Sequence, residues 1–161
     1  MESAYHQGIS EMYQGELLGE ALFSRAAALA RSDEQRFKLC VLLQLETETK
    51  ARLRPLVAQL GLDLVEDEAF RAEGLRLGDE LGALPWIDFL RTLERELKVY
   101  VTKYQRIADL APVSERQVPQ SMVEHEQALL AFVRAELAEP GSPRSLDAVN
   151  ALLANPLAPS P

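Results

Sequence analysis

Apolar residues recur along this chain at alternating spacings of three and four, which keeps side chains on one face of an α-helix. The first such stretch covers about residues 8–31, with the stripe Ile9, Met12 or Tyr13, Glu16, Glu20, Phe23, Ala27 and Ala30. Ser32 with Asp33, Glu34 and Gln35 is a capping-box start whose acidic residues suit the positive end of a helix dipole. The second helix is therefore predicted over 33–60, with the stripe Leu39, Leu42, Glu46, Thr49, Leu53, Leu56 and Leu60. Pro55 lies inside it and removes a backbone hydrogen bond, so a bend or local opening is expected there. The third helix, 85–110, opens on Pro85 and carries Trp86, Phe89, Leu90, Leu93, Leu97, Tyr100, Tyr104 and Ile107. The fourth, 114–138, follows Ser114 to Gln117, another capping-box pattern, although Pro119 can shift its start later. Its stripe is Val118, Met122, His125, Leu129, Phe132, and then Ala135 or Glu136.

Between the second and third stretches the pattern weakens. Glu66, Asp67 and Glu68 form an acidic run, and glycines at 74, 78 and 82 are expected to break what is at most one short helix. Residues 61–84 thus read as a connection and not as a core element. At about 24 residues this connection can carry the chain back along a bundle whose helices measure ~36 Å, whereas the links at either side are tight. The second and third helices are then parallel. The expected fold is an all-α, four-helix bundle with one long crossover over residues 1–138. Residues 139–161 form an extension with a short helix at 145–153, capped by Ser145, and a mobile tail from Asn155.

Composition supports the helical reading and narrows the function. The 161 residues are 47% hydrophobic and rich in Leu, Ala, Glu, Arg and Gln, enough for one helical domain. Seventeen basic against twenty-five acidic residues give a net charge of −8, a poor match to a phosphate backbone, so nucleic acid is not expected as a partner. No apolar run approaches the ~18 residues of a membrane span and no signal-peptide pattern opens the chain, which points to a cytoplasmic protein. Cys40, the single cysteine, sits in an apolar run and reads as core filler. Tyr100 and Tyr104 read as core aromatics. The small residues Ala26 to Ala30 permit close helix approach, either within the core or across a homodimer.

Polar residues interrupt the core-facing stripes of all four main helices: Glu16, Glu46 with Thr49, Glu94 or Glu96, and His125. Burying an unpaired carboxylate is unfavourable by several kcal/mol, so four such interruptions at mid-height imply a shared polar chamber. Glu96 is preferred over Glu94 because it lies three residues after Leu93 and four before Tyr100, and Glu124 and Glu126 are expected to point away. No phosphate-binding glycine loop, nucleotide fingerprint, Ser-His-Asp order or Cys-x-x-Cys pair is present in the sequence.

Four segments resemble the helices of rubrerythrin-type ferritin-like proteins. Residues 15–30, GELLGEALFSRAAALA, are similar to the first helix, with Glu16 at the ligand position and Phe23 at an expected aromatic. Residues 43–53, LQLETETKARL, place Glu46 on the second helix's carboxylate but Thr49 where that family has its His. Residues 90–104, LRTLERELKVYVTKY, resemble the third helix and leave Glu94 and Glu96 as competing ligands. Residues 122–132, MVEHEQALLAF, resemble the fourth, with His125 retained and Met122 in place of Glu. The resemblance implies a dimetal carboxylate site reduced by two ligands, in which Glu16, Glu46, Glu96 and His125 hold one Fe, Mn or Zn ion. It also implies metal-dependent oxidation of an unidentified small molecule, or iron handling. The competing expectation is a metal-free bundle used for binding or assembly.

Overall fold

A computed structural model describes residues 3–157, which contain α-helices and no strand. The helices are α1 (Ala4–Ala28), α2 (Asp33–Gln59), α3 (Glu68–Gly82), α4 (Trp86–Asp109), α5 (Gln117–Ala138) and α6 (Asp147–Asn150). No helix among the described residues is long and apolar enough to cross a membrane.

Helix α1 begins one turn earlier than its stripe suggests. The Ser3 side chain accepts a hydrogen bond from the His6 amide at 3.1 Å, capping the helix so that Tyr5 and Gly8 already face the core. Ser32 caps α2 as expected, accepting from the Gln35 amide at 3.1 Å. Helix α5 instead starts three residues late, because Ser114 makes no cap and Arg116 takes that position with no side-chain bond.

The largest departure lies in the 61–84 connection. Its glycines do not break a helix. Residues 68–82 form one continuous helix, and Gly74, Gly78 and Gly82 make the face by which α3 lies against α1. A Cβ at Gly74 would stand 2.8 Å from Ala21 Cβ, and one at Gly78 would stand 2.6 Å from Arg25 Cβ. These contacts advance together along both helices, so α3 runs parallel to α1. Ala26 and Ala27 are buried, and Gly82 of α3 approaches the Ala26–Leu29 turn, so this small-residue patch serves helix packing. Gly74→Ala is expected to lower stability by about 1–3 kcal/mol through overpacking, despite a helix-propensity gain of up to ~1 kcal/mol. Urea unfolding measures the difference, and an unchanged or raised midpoint would contradict the close approach.

Helix α1 also packs on α2 and α4, while α5 packs on α4, α2 and α6. The apolar core has two parts. One gathers Phe23, Leu42, Leu45, Leu90, Leu129 and Phe132, and takes in Leu146, Val149 and Leu153 around α6. The other gathers Ile9, Met12, Leu53, Val57, Tyr104 and Met122. Glu16, Glu46, Thr49 and His125 fall between these two sets on their helices, so a polar layer separates two apolar halves.

Two smaller expectations also change. Cys40 is exposed, since it lies one residue past the buried Leu39 and off the α2 stripe. The C-terminal helix is shorter than 145–153, and Ser145 does not cap it; its hydroxyl donates to the Ser142 carbonyl at 3.1 Å. Asn150 then holds residue 157 through both its backbone groups. The last four residues of the tail expected to be mobile, like residues 1 and 2, lie outside the described residues.

Candidate metal centre

Each helix that faces the polar layer contributes a side chain from the middle of its buried stripe. Glu16 on α1, Glu46 on α2, and His125 and Glu126 on α5 are each at most 5% exposed. The imidazole stands between two carboxylates. His125 Nε2 lies 3.2 Å from Glu46 Oε1 in hydrogen-bonding geometry. On the opposite side Nδ1 lies 3.2 Å from Glu16 Oε2, a distance that qualifies as an ion pair. Neither of these two atoms, however, has a hydrogen-bond partner. The two atoms face each other at ion-pair distance without the direction that a hydrogen bond requires.

Two buried polar atoms facing each other without a hydrogen bond suit a shared cation. Donors at about 2.1 Å from one ion, 90–109° apart, are separated by about 3.0–3.4 Å. Ligand atoms of Glu16, His125 and Glu126 all lie within 4.8 Å of one another. The donor set of two carboxylates and one imidazole matches what Fe, Mn or Zn accepts.

Electrostatics points the same way. Burial, reinforced by the Glu46 charge, holds the Glu16 carboxyl well above the usual carboxylate range. Burial likewise pushes Glu126 up to about 8, with His125 opposing and Glu46 adding to the rise. For His125, burial works against protonation, but the Glu46 carboxylate, with Glu126 adding to it, makes the net shift upward. The layer thus holds more carboxyl groups than its own imidazole can neutralise, so it retains protons where a cation would replace them.

The structure brings together three of the four residues expected from sequence: Glu16, Glu46 and His125. It does not bring in Glu96, which is exposed. Glu94 is half-buried but pairs with Lys98 and Arg134, each at 3.3 Å. Glu126 takes the place that sequence reasoning assigned to α4. The expectation that it points away is wrong because the buried face of α5 is wider than a single line. Met122, His125, Glu126, Leu129, Phe132, Val133 and Glu136 are all buried, at spacings of three and four. Thr49, in place of a ligand, donates its hydroxyl to the Leu45 carbonyl at 2.7 Å, and Met122 is fully buried in the Tyr104 cluster.

Two glycines open the chamber. A Cβ at Gly19 would reach within 2.6 Å of the Glu46 carboxyl carbon, and one at Gly15 would stand 2.5 Å from the Tyr104 hydroxyl. Their spacing of four on the face that carries Glu16 is a signal that the apolar-stripe reading passed over. From this point a cavity of about 420 Å³ extends between α1, α3 and α4. Its walls are mainly leucines with Phe23, and Glu46, Glu126, Tyr100 and Tyr104 also line it. Burial raises the Tyr104 phenol well above its ordinary range, with the Glu16 charge adding to it, so the hydroxyl stays protonated.

No protein-family model, curated protein or solved structure matches the chain.

Proposed function

We propose that this chain is a ferritin-like, single-crossover bundle whose polar layer is a mononuclear metal centre serving oxidation of a small molecule. The single observation that carries the reading is the His125 ring, flanked by Glu16 and Glu46, with its Nδ1 and the facing Glu16 oxygen both buried and without hydrogen bonds. The topology is supported by helix pairing. Gly8 meets Ile107 and Gly15 meets Tyr104, so α4 runs against α1. Glu20 meets Thr47 and Lys50 after a four-residue link, so α2 also runs against α1. Helices α2 and α4 are then parallel, as a crossover through α3 requires.

In this reading Glu16, Glu126 and His125 Nδ1 are the ligands. Glu46 accepts the Nε2 proton of His125, which fixes the tautomer and turns the Nδ1 lone pair toward Glu16. Gly19 leaves room for Glu46 to hold that position. A bound Fe or Mn ion would supply redox chemistry and a site for oxygen or substrate at the positions that three protein ligands leave open. The leucine-lined cavity reaches Glu46 and Glu126 and gives an organic molecule a route to the layer. Such a route favours oxidation of a small molecule over storage of hydrated iron.

Elemental analysis of protein purified without chelators, followed by calorimetric titration with Fe(II) and Mn(II), tests the proposal. About one equivalent of metal per chain is expected. If neither ion binds, the layer is a proton-sharing cluster and the metal-free binding module takes its place.

A further inference from the structure

The cavity between α1, α3 and α4 has a chemical bias beyond its size. Among the described residues its lining includes Glu46, Glu80, Glu96 and Glu126 and no Lys, Arg or His. Apart from these, Thr92 and two tyrosines, the lining consists of leucines, Phe23 and two glycines. Glu46 and Glu126 are buried, whereas Glu80 and Glu96 are exposed, which places one acidic pair deep and the other at the mouth. Glu80 is already partnered by Arg76 on its own helix. Glu96 has the half-buried Tyr100 ring one helical turn further along α4, and both residues line the cavity.

We propose that this cavity binds an apolar amine, with its hydrocarbon body against the leucines and its ammonium group at Glu96 and Tyr100. A volume of about 420 Å³ is within the usual range for sites that enclose a small organic ligand. Leu22, Leu81, Leu93, Leu97 and Leu129 are buried wall residues that offer dispersion contacts and no polar partner. A hydrocarbon chain therefore gains by entering and a polar chain does not. The head group is chosen by charge. With the polar layer free of metal, a carboxylate or phosphate would meet acidic side chains at both ends of the cavity and no basic residue in its lining, which is unfavourable at short range. An ammonium ion at the mouth meets the Glu96 carboxylate beside the Tyr100 side chain, an ionic partner that a neutral or anionic head group lacks. Binding itself does not require metal in the polar layer. Only the amine's role as substrate depends on the metal-centre proposal.

The test is calorimetric titration of the full chain with octylamine, octanol and octanoate, which share one hydrocarbon chain and differ in charge. Each titration is run on chelator-treated protein and on protein loaded with Fe(II) or Mn(II). In chelator-treated protein octylamine is expected to bind about fivefold more tightly than octanol, and octanoate to bind more weakly than either. Glu96→Gln is expected to bring octylamine close to octanol without changing octanol binding. Leu77→Trp, on the partly exposed wall from α3, is expected to weaken all binding by filling the cavity, and Leu84→Trp near the mouth serves the same end if the first variant fails to fold. Equal or tighter binding of octanoate to the chelator-treated protein would overturn the proposal. So would no binding of octylamine, or an octylamine affinity unchanged by both the tryptophan and the glutamine substitutions. Octylamine binding to protein that takes up no metal would sink the metal centre and leave the amine site standing. Metal uptake without amine binding would do the reverse.

Discussion

His125→Ala is expected to lower Fe(II) or Mn(II) affinity by more than about a hundredfold, while Glu96→Gln leaves it unchanged. The first expectation follows because loss of a direct ligand exceeds the 10- to 100-fold usual for its supporting hydrogen-bond partners. Glu46→Gln should fall within that lower range, since Glu46 orients the imidazole through Nε2 at 3.2 Å and leaves Nδ1 to the ion. Glu126→Gln should resemble His125→Ala. Titration of the four variants separates the geometry seen here from the ligand set expected from sequence. Equal losses for Glu96→Gln and Glu126→Gln would show that α4 supplies a ligand after all.

The same centre predicts opposite pH dependences with and without metal. Glu16, Glu126 and His125 all have raised pKa values when no ion is present. The folded chain therefore binds more protons than the unfolded chain above the ordinary carboxylate range, and stability falls as pH rises through that window. For Glu126 the loss extends up to about pH 8. Metal binding must displace these protons, so affinity rises with pH over the same interval and the metal-loaded protein resists alkaline destabilisation. Thermal melts from pH 5 to pH 9 with and without Mn(II) read this directly. Parallel pH profiles in the two states would show that no ion replaces the protons.

Helix type and most boundaries were legible in the sequence because the main helices bury a stripe at helical period. Where the period misled, a different kind of packing was at work. The glycines of α3 were read as breakers on propensity, which describes an isolated helix. Against α1 they are the only side chains small enough for the approach made at Gly74 and Gly78, so tertiary contact overrides propensity. Glu16, Glu46 and His125 were legible as a group because each interrupts an otherwise apolar line. Glu126 was not, since a single line drawn through His125 leaves it one position aside, although α5 buries a face wide enough to include both. Charge density on α4 hid the surface pairing of Glu94 with Lys98 and Arg134 and the exposure of Glu96. Glu136 was legible beside Ala135 as the end of the α5 stripe, but its partner Lys38 was not, because a lysine and a glutamate 98 residues apart cannot be matched by spacing.

That pair carries the largest expected effect on stability. The Lys38 ammonium donates to Glu136, to Glu34 at 2.8 Å and to the Ser142 carbonyl at 3.3 Å, and it is only 7% exposed. The Glu136 carboxylate also accepts from the Trp86 indole at 3.2 Å and the Gly141 amide at 3.3 Å. The pair thereby joins α2 to α5 and fastens the chain that leads to α6. Lys38→Met would leave Glu136 buried with neutral donors alone and is expected to lower stability by about 3–5 kcal/mol. At roughly 2–4 °C per kcal/mol in a chain of this size, the melting temperature should fall by about 6–20 °C. Replacing both residues, as Lys38→Met with Glu136→Leu, should recover much of the loss, because no charge is then left unpaired. The acid side supplies a second check. Burial works to raise the Glu136 pKa, but Lys38, Ser145, Trp86 and Gly141 together hold it below the usual range. Its contribution is therefore present above the unfolded carboxyl pKa and lost as pH falls through the folded one. Acid melts of Lys38→Met should show a shallower decline than wild type. Equal slopes, or a double variant no more stable than the single one, would mean that the ion pair does not hold α2 to α5.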